Sequence, residues 1–308
     1  MSVTTQWLYN ALQQERLKVI VVDCRDYIDF ERKHIGLAVC MPPELGLNEE
    51  GNEDFVDLTE LHEGYFKHTR HFEQYESRTS KHLVVYNDND HNMWIGHVIS
   101  CMDVEGLVLS VQALEEGFST FQERYPFLCT TDPDPQALLG LTGYPFPVEV
   151  DYRRLYLSRG AALNPDHIGM LHINQVFTID TIPEGVERLL EAKSLPNQPL
   201  DASDCTGFLS LMADMGKKES TVILYSSEDE ILLRFFTLYV MSRDQTPLRE
   251  AYNLCAQSYW RDDIQLSSSS LRLLTEWEQQ NLGSTSVTES ELRSGQVPLS
   301  APPSCLLS

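Results

Sequence analysis

The chain of 308 residues is long enough for two ordinary domains, and its composition, 42% hydrophobic and 22% charged, is that of a globular protein. A formal net charge of −23 argues against nucleic acid and anionic lipid surfaces as partners, because binding to either needs a positive field. Seven scattered cysteines without CxxC pairs, no signal-peptide layout and no apolar run of about 18 residues predict a cytoplasmic protein without a cofactor or a metal.

The first 129 residues alternate between helix and strand patterns. A helix is predicted over 6–17, and short apolar runs predict buried strands over 18–23, 82–86 and 106–111. Strands that alternate with helices indicate a parallel sheet covered by helices on both faces. Residues 1–129 are therefore predicted to form an α/β domain.

Two stretches at the ends of this domain resemble a known family. VVDCRDYIDFERKHIGLAV (21–39) is similar to the rhodanese signature, and ALEEGFSTFQERYPFLC (113–129) to the end of the rhodanese-like domain of MAP-kinase phosphatases. A working rhodanese carries its sulfur on a cysteine directly after the strand that matches 82–86. Here Asn87 and Asp88 follow that strand and the loop has no thiol, so the resemblance implies an inactive domain.

The resemblance also bears on kinase docking. In MAP-kinase phosphatases this domain docks kinases through an arginine cluster soon after the stretch that corresponds to 34–39. The residues that follow here, 41–55, are rich in carboxylates and contain no cation. Docking grooves that accept such clusters are acidic, so like charges would meet. MAP-kinase docking through a basic cluster is therefore not expected, and 41–55 is interpreted as a solvated loop.

Residues 130–143 are rich in Pro, Asp and Gly and are predicted to be a linker. The region 144–283 resembles dual-specificity phosphatases at its start (YPFPVEVDYRRLYLSRGAALNPDHIGMLHINQVFTID) and in its last two helices (TPLREAYNLCAQSY and LRLLTEWEQQNLG). A rhodanese-like domain followed by such a domain is the layout of MAP-kinase phosphatases and of their inactive relatives, the serine/threonine/tyrosine-interacting-like pseudophosphatases. The fold class that this resemblance implies is α/β with two domains, each a mostly parallel sheet flanked by helices.

The stretch 221–241 corresponds to the catalytic loop of that family and is predicted to be a strand, a polar loop and, from residue 231, a helix. Active members need a cysteine thiolate, a glycine-containing cradle of N–H groups and then an arginine that binds two phosphate oxygens. Depending on the register, the cysteine position here is Tyr225, Ser226 or Ser227. Three carboxylates follow, and the arginine comes one or two places late (Glu228, Asp229, Glu230 and Arg234).

The general acid, the base and the phosphate-binding arginine of the family also lack a regular match in this sequence. Asp201 and Asp204 lie in the region of the family's general acid, but nearer the loop than its spacing, and are interpreted as surface carboxylates. A serine nucleophile would need an adjacent base, and no histidine is close to it in sequence. Arg234 is predicted either to reach outward or to lean toward 228–230, in which case the protein's own carboxylates fill the former anion hole.

These features predict a catalytically inactive pseudophosphatase that acts as a scaffold or regulator in phosphorylation signalling, with phosphatases, kinases or their substrates as partners. Two alternatives stay open: a weak dual-specificity phosphatase with a non-standard loop, and a phosphoprotein-binding module. The tail, 284–308, is rich in Ser, Thr and Pro and is predicted to be disordered. It ends in CLLS, a prenylation pattern on Cys305, so membrane contact is expected only if Cys305 is prenylated.

Overall fold

The computed structural model describes residues 2–13, 19–47, 53–58, 61, 63–88, 93–132, 146–151, 154–159, 163–178, 180–186, 188–194, 202–216, 220–259, 264–288, 290–291 and 297. Two compact units divide between residues 145 and 146. Each contains a five-stranded, mostly parallel sheet with helices packed against it. The predicted fold class, α/β with two domains of this kind, is confirmed.

The described strands of the first unit are β1 (Ser2–Val3), β2 (Val19–Asp23), β3 (His34–Ile35), β4 (Val39–Cys40), β5 (Leu45–Leu47), β6 (Glu53–Phe55), β7 (His82–Tyr86), β8 (Ser110–Leu114) and β9 (Cys129–Thr130). Its described helices are α1 (Thr5–Gln13), α2 (Tyr27–Arg32), α3 (Thr69–Glu76), α4 (Met93–Glu105) and α5 (Gly117–Arg124). The main sheet has the order β1-β8-β7-β2-β4, and every neighbouring pair in it is parallel.

The two central strands of this sheet lie where the apolar runs predict them. VIVVD and HLVVY are short and rich in valine, as expected of strands buried on both faces. The strand predicted over 106–111 is wrong in its position. Gly106 follows the last residue of α4 in the left-handed conformation (φ 68°) that commonly ends a helix, and β8 begins only at Ser110.

The acidic stretch 41–55 is not a plain solvated loop, as the sequence suggested. β5 and β6 pair as an antiparallel ribbon in which Leu45 lies opposite Phe55. The Phe55 ring packs against the Trp94 indole at a centroid distance of 5.1 Å. Burial of aromatic surface therefore fixes part of the stretch despite its charge.

A buried histidine makes the stability of the first unit dependent on pH. His71 in α3 is 1% exposed, and its Nδ1 accepts the Cys40 N–H at 3.4 Å, while no described residue bonds its Nε2. Burial, with the nearby positive charge of His68, lowers the pKa of His71 to about 3. An unfolded histidine has a pKa of about 6.5, so the unfolded chain binds a proton that the folded unit does not.

We therefore expect the free energy of unfolding to fall as the pH drops from about 6.5 toward 3, by roughly 2 kcal/mol at pH 5 from His71 alone. Urea denaturation at pH 7.5 and pH 5 measures this change. A His71→Gln variant should show a shallower pH dependence than the wild type. His82→Gln is the control. Burial also lowers the pKa of His82, but His82 is more exposed than His71, so its replacement should change the pH dependence of the unfolding free energy less. Equal slopes in the wild type and His71→Gln would contradict the prediction.

The described strands of the second unit are β10 (Val148–Asp151), β11 (Leu155–Arg159), β12 (Gln175–Thr178), β13 (Glu191–Ser194) and β14 (Val222–Ser226). Its described helices are α6 (Pro165–Met170), α7 (Ala202–Gly216), α8 (Asp229–Asp244), α9 (Leu248–Tyr259) and α10 (Ser268–Leu282). The sheet order is β10-β11-β14-β12-β13, with β10 antiparallel to β11 and the other pairs parallel. The chain after the central strand β14 therefore emerges at the carboxyl edge of the sheet, where α/β proteins bind ligands.

The central helix of the second unit is α8, which begins earlier and ends later than the predicted 231–241. It is buried nearly all round, as its apolar sequence predicts. The Phe235 ring, for example, packs on Phe208 of α7 at a centroid distance of 4.7 Å. None of the described helices is long and apolar enough to cross a bilayer.

The predicted disorder of 284–308 is wrong for the start of the tail. The helix α10 ends at Leu282 and is followed by Gly283 in the left-handed conformation (φ 75°). Val287 beyond it is only 5% exposed and belongs to the second core. Arg249 at the start of α9 donates to the Ser286 carbonyl from Nε at 3.1 Å and from Nη2 at 3.0 Å. Composition alone does not show this order, because the contacts come from a helix far away in sequence.

Two further predictions fall mostly outside the described residues. Of the linker 130–143, Thr130 belongs to β9, which pairs antiparallel with β3 in the first unit. The part from residue 133 onward is not described, so its role as a linker stays a prediction. Cys305 and its prenylation pattern also lie outside the described residues.

Candidate functional site

The loop after β14 is shorter than predicted. It consists of two residues, Ser227 and Glu228. A carboxylate in the first turn of a helix is stabilised by the positive end of the helix dipole, and α8 accordingly starts at Asp229. Of the other residues of the predicted loop 226–230, Ser226 belongs to β14, and Asp229 and Glu230 belong to the first turn of α8. Tyr225 lies in β14, as predicted.

A carboxylate that the sequence analysis did not select contacts this loop. Asp180 lies just past the end of β12, the neighbour of β14, and its Oδ2 accepts a hydrogen bond from the Ser227 N–H. The Asp180 N–H donates to Thr178 Oγ1 at 2.8 Å, which fixes the turn that presents the carboxylate. Adjacent parallel strands end at the same edge of a sheet. From this rule, the contact between Asp180 and Ser227 could have been predicted.

The three candidate positions for the nucleophile differ in their access to solvent. Ser226 is 1% exposed, and its Oγ accepts the Glu228 N–H at 3.1 Å. Tyr225 is buried too, and burial together with the Asp180 carboxylate raises the pKa of its hydroxyl. Only Ser227, of these three, is exposed. The site therefore presents one ordinary serine hydroxyl and no thiol.

Asp229 and Glu230 bind separate partners. The Asp229 carboxylate pairs with Arg159 at the end of β11, with 2.6 Å between Nε and Oδ1. The Glu230 carboxylate accepts the Ser267 N–H at 3.0 Å and the Ser270 hydroxyl at 2.6 Å, at the N-terminus of α10. Burial alone would raise the pKa of Glu230, but these serine contacts lower it overall.

Arg234 points inward, so the outward alternative from the sequence is wrong. It is 5% exposed, and its Nη1 donates to Ser270 Oγ at 3.2 Å. Arg234 and Glu230 thus share Ser270. Burial lowers the pKa of Arg234, and the Glu230 carboxylate opposes that change. The carboxylate at the Ser227 N–H is that of Asp180, not one of 228–230.

The two candidates for a general acid are not both described. Asp201 lies outside the described residues. Asp204 lies in α7, but its side chain is outside the described part. Their interpretation as surface carboxylates stays a prediction. Among the residues that the structure describes, no group of three or more His, Cys, Asp and Glu is placed to hold a metal ion.

In the first unit, the predicted loop lies at the carboxyl edge of the parallel sheet. Asn87 directly follows β7, and its carbonyl accepts the Phe118 N–H at 3.3 Å. Gly117 approaches this carbonyl so closely that an added Cβ would lie 2.7 Å from the oxygen, and its φ is +70°. A glycine is required here for both reasons, so the loop and the start of α5 are held tightly together.

Asp88 also has a structural role. Its Oδ1 accepts the Ser119 N–H at 2.7 Å and the Ser119 hydroxyl at 2.9 Å, in the first turn of α5. Its Oδ2 accepts Arg25 Nη1 at 3.2 Å. Arg25 is 7% exposed and also binds Asp23 with two nitrogens, Nε at 2.9 Å and Nη2 at 2.6 Å. Its guanidinium lies 3.8 Å from the Phe118 ring centroid.

Arg25 is therefore engaged by the protein itself. Burial acts to lower the pKa of Arg25, but the hydrogen bonds and the charge of Asp23 outweigh it and raise the pKa above its usual value. No role for the Asp23–Arg25 pair was predicted from the sequence. The Asp-x-Arg spacing at the end of β2 could have predicted the pair, because it lets the Arg25 guanidinium bind the Asp23 carboxylate bidentately.

A family model described as the rhodanese-like domain matches residues 4–124. The first unit is rhodanese-like. The resemblance of 21–39 to the rhodanese signature is thereby confirmed, although the match covers less than half of the chain. The likeness of 113–129 to MAP-kinase phosphatases in particular stays an interpretation of the sequence. No curated protein matches the chain.

Among solved structures, a crystal structure of a variant of human DUSP28 is similar to the chain, with 12% sequence identity and a TM-score of 0.38. The match covers 45% of this chain and 98% of the DUSP28 chain. The resemblance of 144–283 to dual-specificity phosphatases stays an interpretation of the sequence.

The thiols of the rhodanese-like unit are poor nucleophiles. Cys24, next to the Asp23–Arg25 pair, is fully buried, and burial followed by the Asp23 charge raises its pKa. Burial likewise raises the pKa of Cys40 and Cys101, and that of Cys129 to about 12. These four are the cysteines among the described residues of the unit, and the raised pKa values favour the unreactive thiol at neutral pH.

A pocket of about 450 Å³ opens beside the loop of the rhodanese-like unit, between α4 and the start of α5. Among its described lining residues are three carboxylates and no cation. Two of these carboxylates already have partners: Asp88 binds Ser119, and Glu116 accepts the Thr5 hydroxyl at 2.6 Å and Arg124 Nη1 at 3.0 Å. The pocket therefore does not fit an anionic ligand such as a sulfur-oxyanion donor.

Proposed function

We propose that this chain is a catalytically inactive pseudophosphatase of the cytoplasm that acts as a scaffold or regulator in phosphorylation signalling, through contacts with phosphatases, kinases or their substrates. The observation that carries the proposal is the hydrogen bond from the Ser227 N–H to the Asp180 carboxylate. A phosphate-binding loop needs such N–H groups for its ligand. Here one of them binds a carboxylate of the same chain.

The charge of Asp180 opposes phosphate binding as well. Two like unit charges about 4 Å apart repel by roughly 4 kcal/mol at an effective dielectric constant near 20. About 1.4 kcal/mol corresponds to a factor of ten in affinity, so an unscreened repulsion of this size lowers the affinity for phosphate by about three orders of magnitude. Asp180 is half-buried, and solvent screening reduces this to an expected effect of about tenfold or more.

The residues around the loop also argue against catalysis. The Ser226 hydroxyl is buried and already accepts a backbone N–H, and Ser227 has the ordinary reactivity of an exposed serine. The Arg234 guanidinium is turned into the core beside Ser270. The part of the proposal that concerns signalling comes from the resemblance to pseudophosphatases of the same two-domain layout.

We expect an Asp180→Asn variant of the full chain to bind tungstate about tenfold or more tightly than the wild type, because the amide oxygen can still accept the Ser227 N–H but carries no charge. Isothermal titration calorimetry measures the two affinities. Asp166→Asn is the matched control, since Asp166 is an exposed aspartate in α6 and its replacement changes the net charge equally. Equal tungstate affinities in the two variants would show that the Asp180 charge does not oppose anion binding at the loop.

Two assays separate the proposal from its rivals. Hydrolysis of p-nitrophenyl phosphate by the wild type that is lost in a Ser226→Ala/Ser227→Ala double variant would establish a phosphatase. Capture of partner proteins that disappears when the lysate is first treated with phosphatase would establish a phosphoprotein-binding module. We expect no turnover, and capture that is independent of phosphate.

A further inference from the structure

The described start of the C-terminal tail, residues 284–288 and 290–291, forms a strap across the N-terminus of α9. The Ser286 N–H donates to Glu278 Oε2 at 3.0 Å, and the Ser286 hydroxyl accepts the Arg249 N–H at 3.0 Å. Val287 places its side chain in the core of the second unit. The strap is therefore docked by backbone contacts and by one apolar anchor.

A capping box completes the strap. Thr288 approaches Glu291 Oε2 with both its N–H and its hydroxyl, each at 2.7 Å, and the Glu291 N–H returns to Thr288 Oγ1 at 3.4 Å. The same carboxylate oxygen accepts Arg249 Nη2 at 2.7 Å. The hydrogen bond from Arg249 and the hydrogen bonds from Thr288 lower the pKa of Glu291 to about 2, so the carboxylate is ionised. The Thr288 hydroxyl thus lies at the point that joins the strap to α9.

The surroundings of Thr288 fit a protein kinase with a basic substrate cleft. Thr288 is exposed, and Glu289 and Glu291 follow it at the first and third positions. Acidic side chains beside the acceptor complement a positive cleft. Ser286 in the same strap is half-buried. Thr288 therefore has an exposed side chain and acidic neighbours, and its hydroxyl binds the Glu291 carboxylate that holds the strap to Arg249.

We propose that Thr288 is a phosphorylation site of such a kinase and that its phosphorylation releases the strap from α9. Thr288 Oγ1 attacks the γ-phosphorus of ATP, the bond from that phosphorus to the ADP oxygen breaks, and the hydroxyl proton passes to the base of the kinase. The inference does not depend on the function proposed for the loop at Ser227.

The phosphate changes the contact in two ways. It removes the hydroxyl donor that Glu291 accepts, and it places close to two negative charges against that carboxylate. Arg249 cannot neutralise both groups, because its guanidinium also binds the Ser286 carbonyl. The expected result is displacement of Glu291, loss of its ion pair with Arg249 and exposure of Val287.

The first part of the test identifies the acceptor. The full chain is incubated with casein kinase 2 and ATP, and the site is mapped by mass spectrometry. We expect phosphate on Thr288 in the wild type and in Thr285→Val, the matched control with a second exposed threonine of the strap, and none at position 288 in Thr288→Val. Phosphate on Ser286 or Ser290 instead, or no incorporation, would overturn the assignment.

The second part follows the strap by hydrogen exchange. In the phosphorylated wild type, exchange across 284–288 is expected to be at least about tenfold faster than in the unmodified chain. Glu291→Gln, made without any kinase, should accelerate the same amides by weakening the pair with Arg249. Unchanged or slower exchange after stoichiometric phosphorylation of Thr288 would refute the release of the strap.

Discussion

Replacing Asp23 with alanine is expected to lower the free energy of unfolding of the rhodanese-like unit by about 3–5 kcal/mol, the range observed when one partner of a buried ion pair is removed. Asp23 is fully buried and accepts hydrogen bonds from the Arg25 N–H, from its guanidinium and from the Tyr86 hydroxyl. Without the carboxylate, the charge of the 7% exposed Arg25 loses its closest counter-charge.

The measurement is urea denaturation combined with hydrogen exchange of the peptides that contain β2 and β7, because a chain of two units need not unfold in one step. Asp29→Ala is the matched control. The Asp29 carboxylate pairs with Arg32 at 3.1 Å on the surface, so its loss should change stability by less than about 0.5 kcal/mol. Losses of similar size in the two variants would contradict the importance given to burial.

Replacing Glu278 with alanine is expected to lower the free energy of unfolding of the second unit by about 2–4 kcal/mol. Glu278 is fully buried in α10, and its two oxygens accept different backbone donors: Leu248 N–H at 2.9 Å and Ser286 N–H at 3.0 Å. Leu248 begins α9, so the carboxylate caps that helix. Each donor left without an acceptor costs about 1–3 kcal/mol.

Thermal unfolding and hydrogen exchange at the start of α9 and in the strap 284–291 test this prediction. Glu276→Ala is the control, because Glu276 lies on the exposed face of the same helix and its loss should change little. Glu278→Gln keeps one oxygen acceptor and is expected to lie between the wild type and Glu278→Ala. A normal melting temperature for Glu278→Ala would show that other groups satisfy these two donors.

How far the fold could be predicted from sequence depended on how local its causes are. The runs VIVVD and HLVVY were enough for the central strands of the first sheet, because a short apolar run rich in β-branched residues has few other stable states. The strand predicted over 106–111 was misplaced, since Gly106 closes α4 and the exposed Leu107 and Leu109 resemble a buried strand only in composition.

The candidate site shows the same division. The sequence predicted the loop at 226–230, around the observed loop of Ser227 and Glu228, and showed that it holds no cysteine, which follows from residue identity alone. It did not find Asp180, which is 47 residues away from Ser227 and reaches it only because β12 and β14 are neighbours in the sheet. Nor did the sequence show that the Glu230 carboxylate binds Ser267 and Ser270 at the start of α10.

The sequence by itself determined which chemical groups the chain has: two α/β units, and a loop after the central strand of the second that holds serines and carboxylates but no cysteine. The tertiary structure decided where two of those carboxylates bind: Asp229 pairs with Arg159 at the end of β11, and Glu230 accepts from Ser267 and Ser270 at the start of α10. Such pairings depend on strand order and helix placement, and these are set by burial summed over a whole unit rather than by any short stretch of residues.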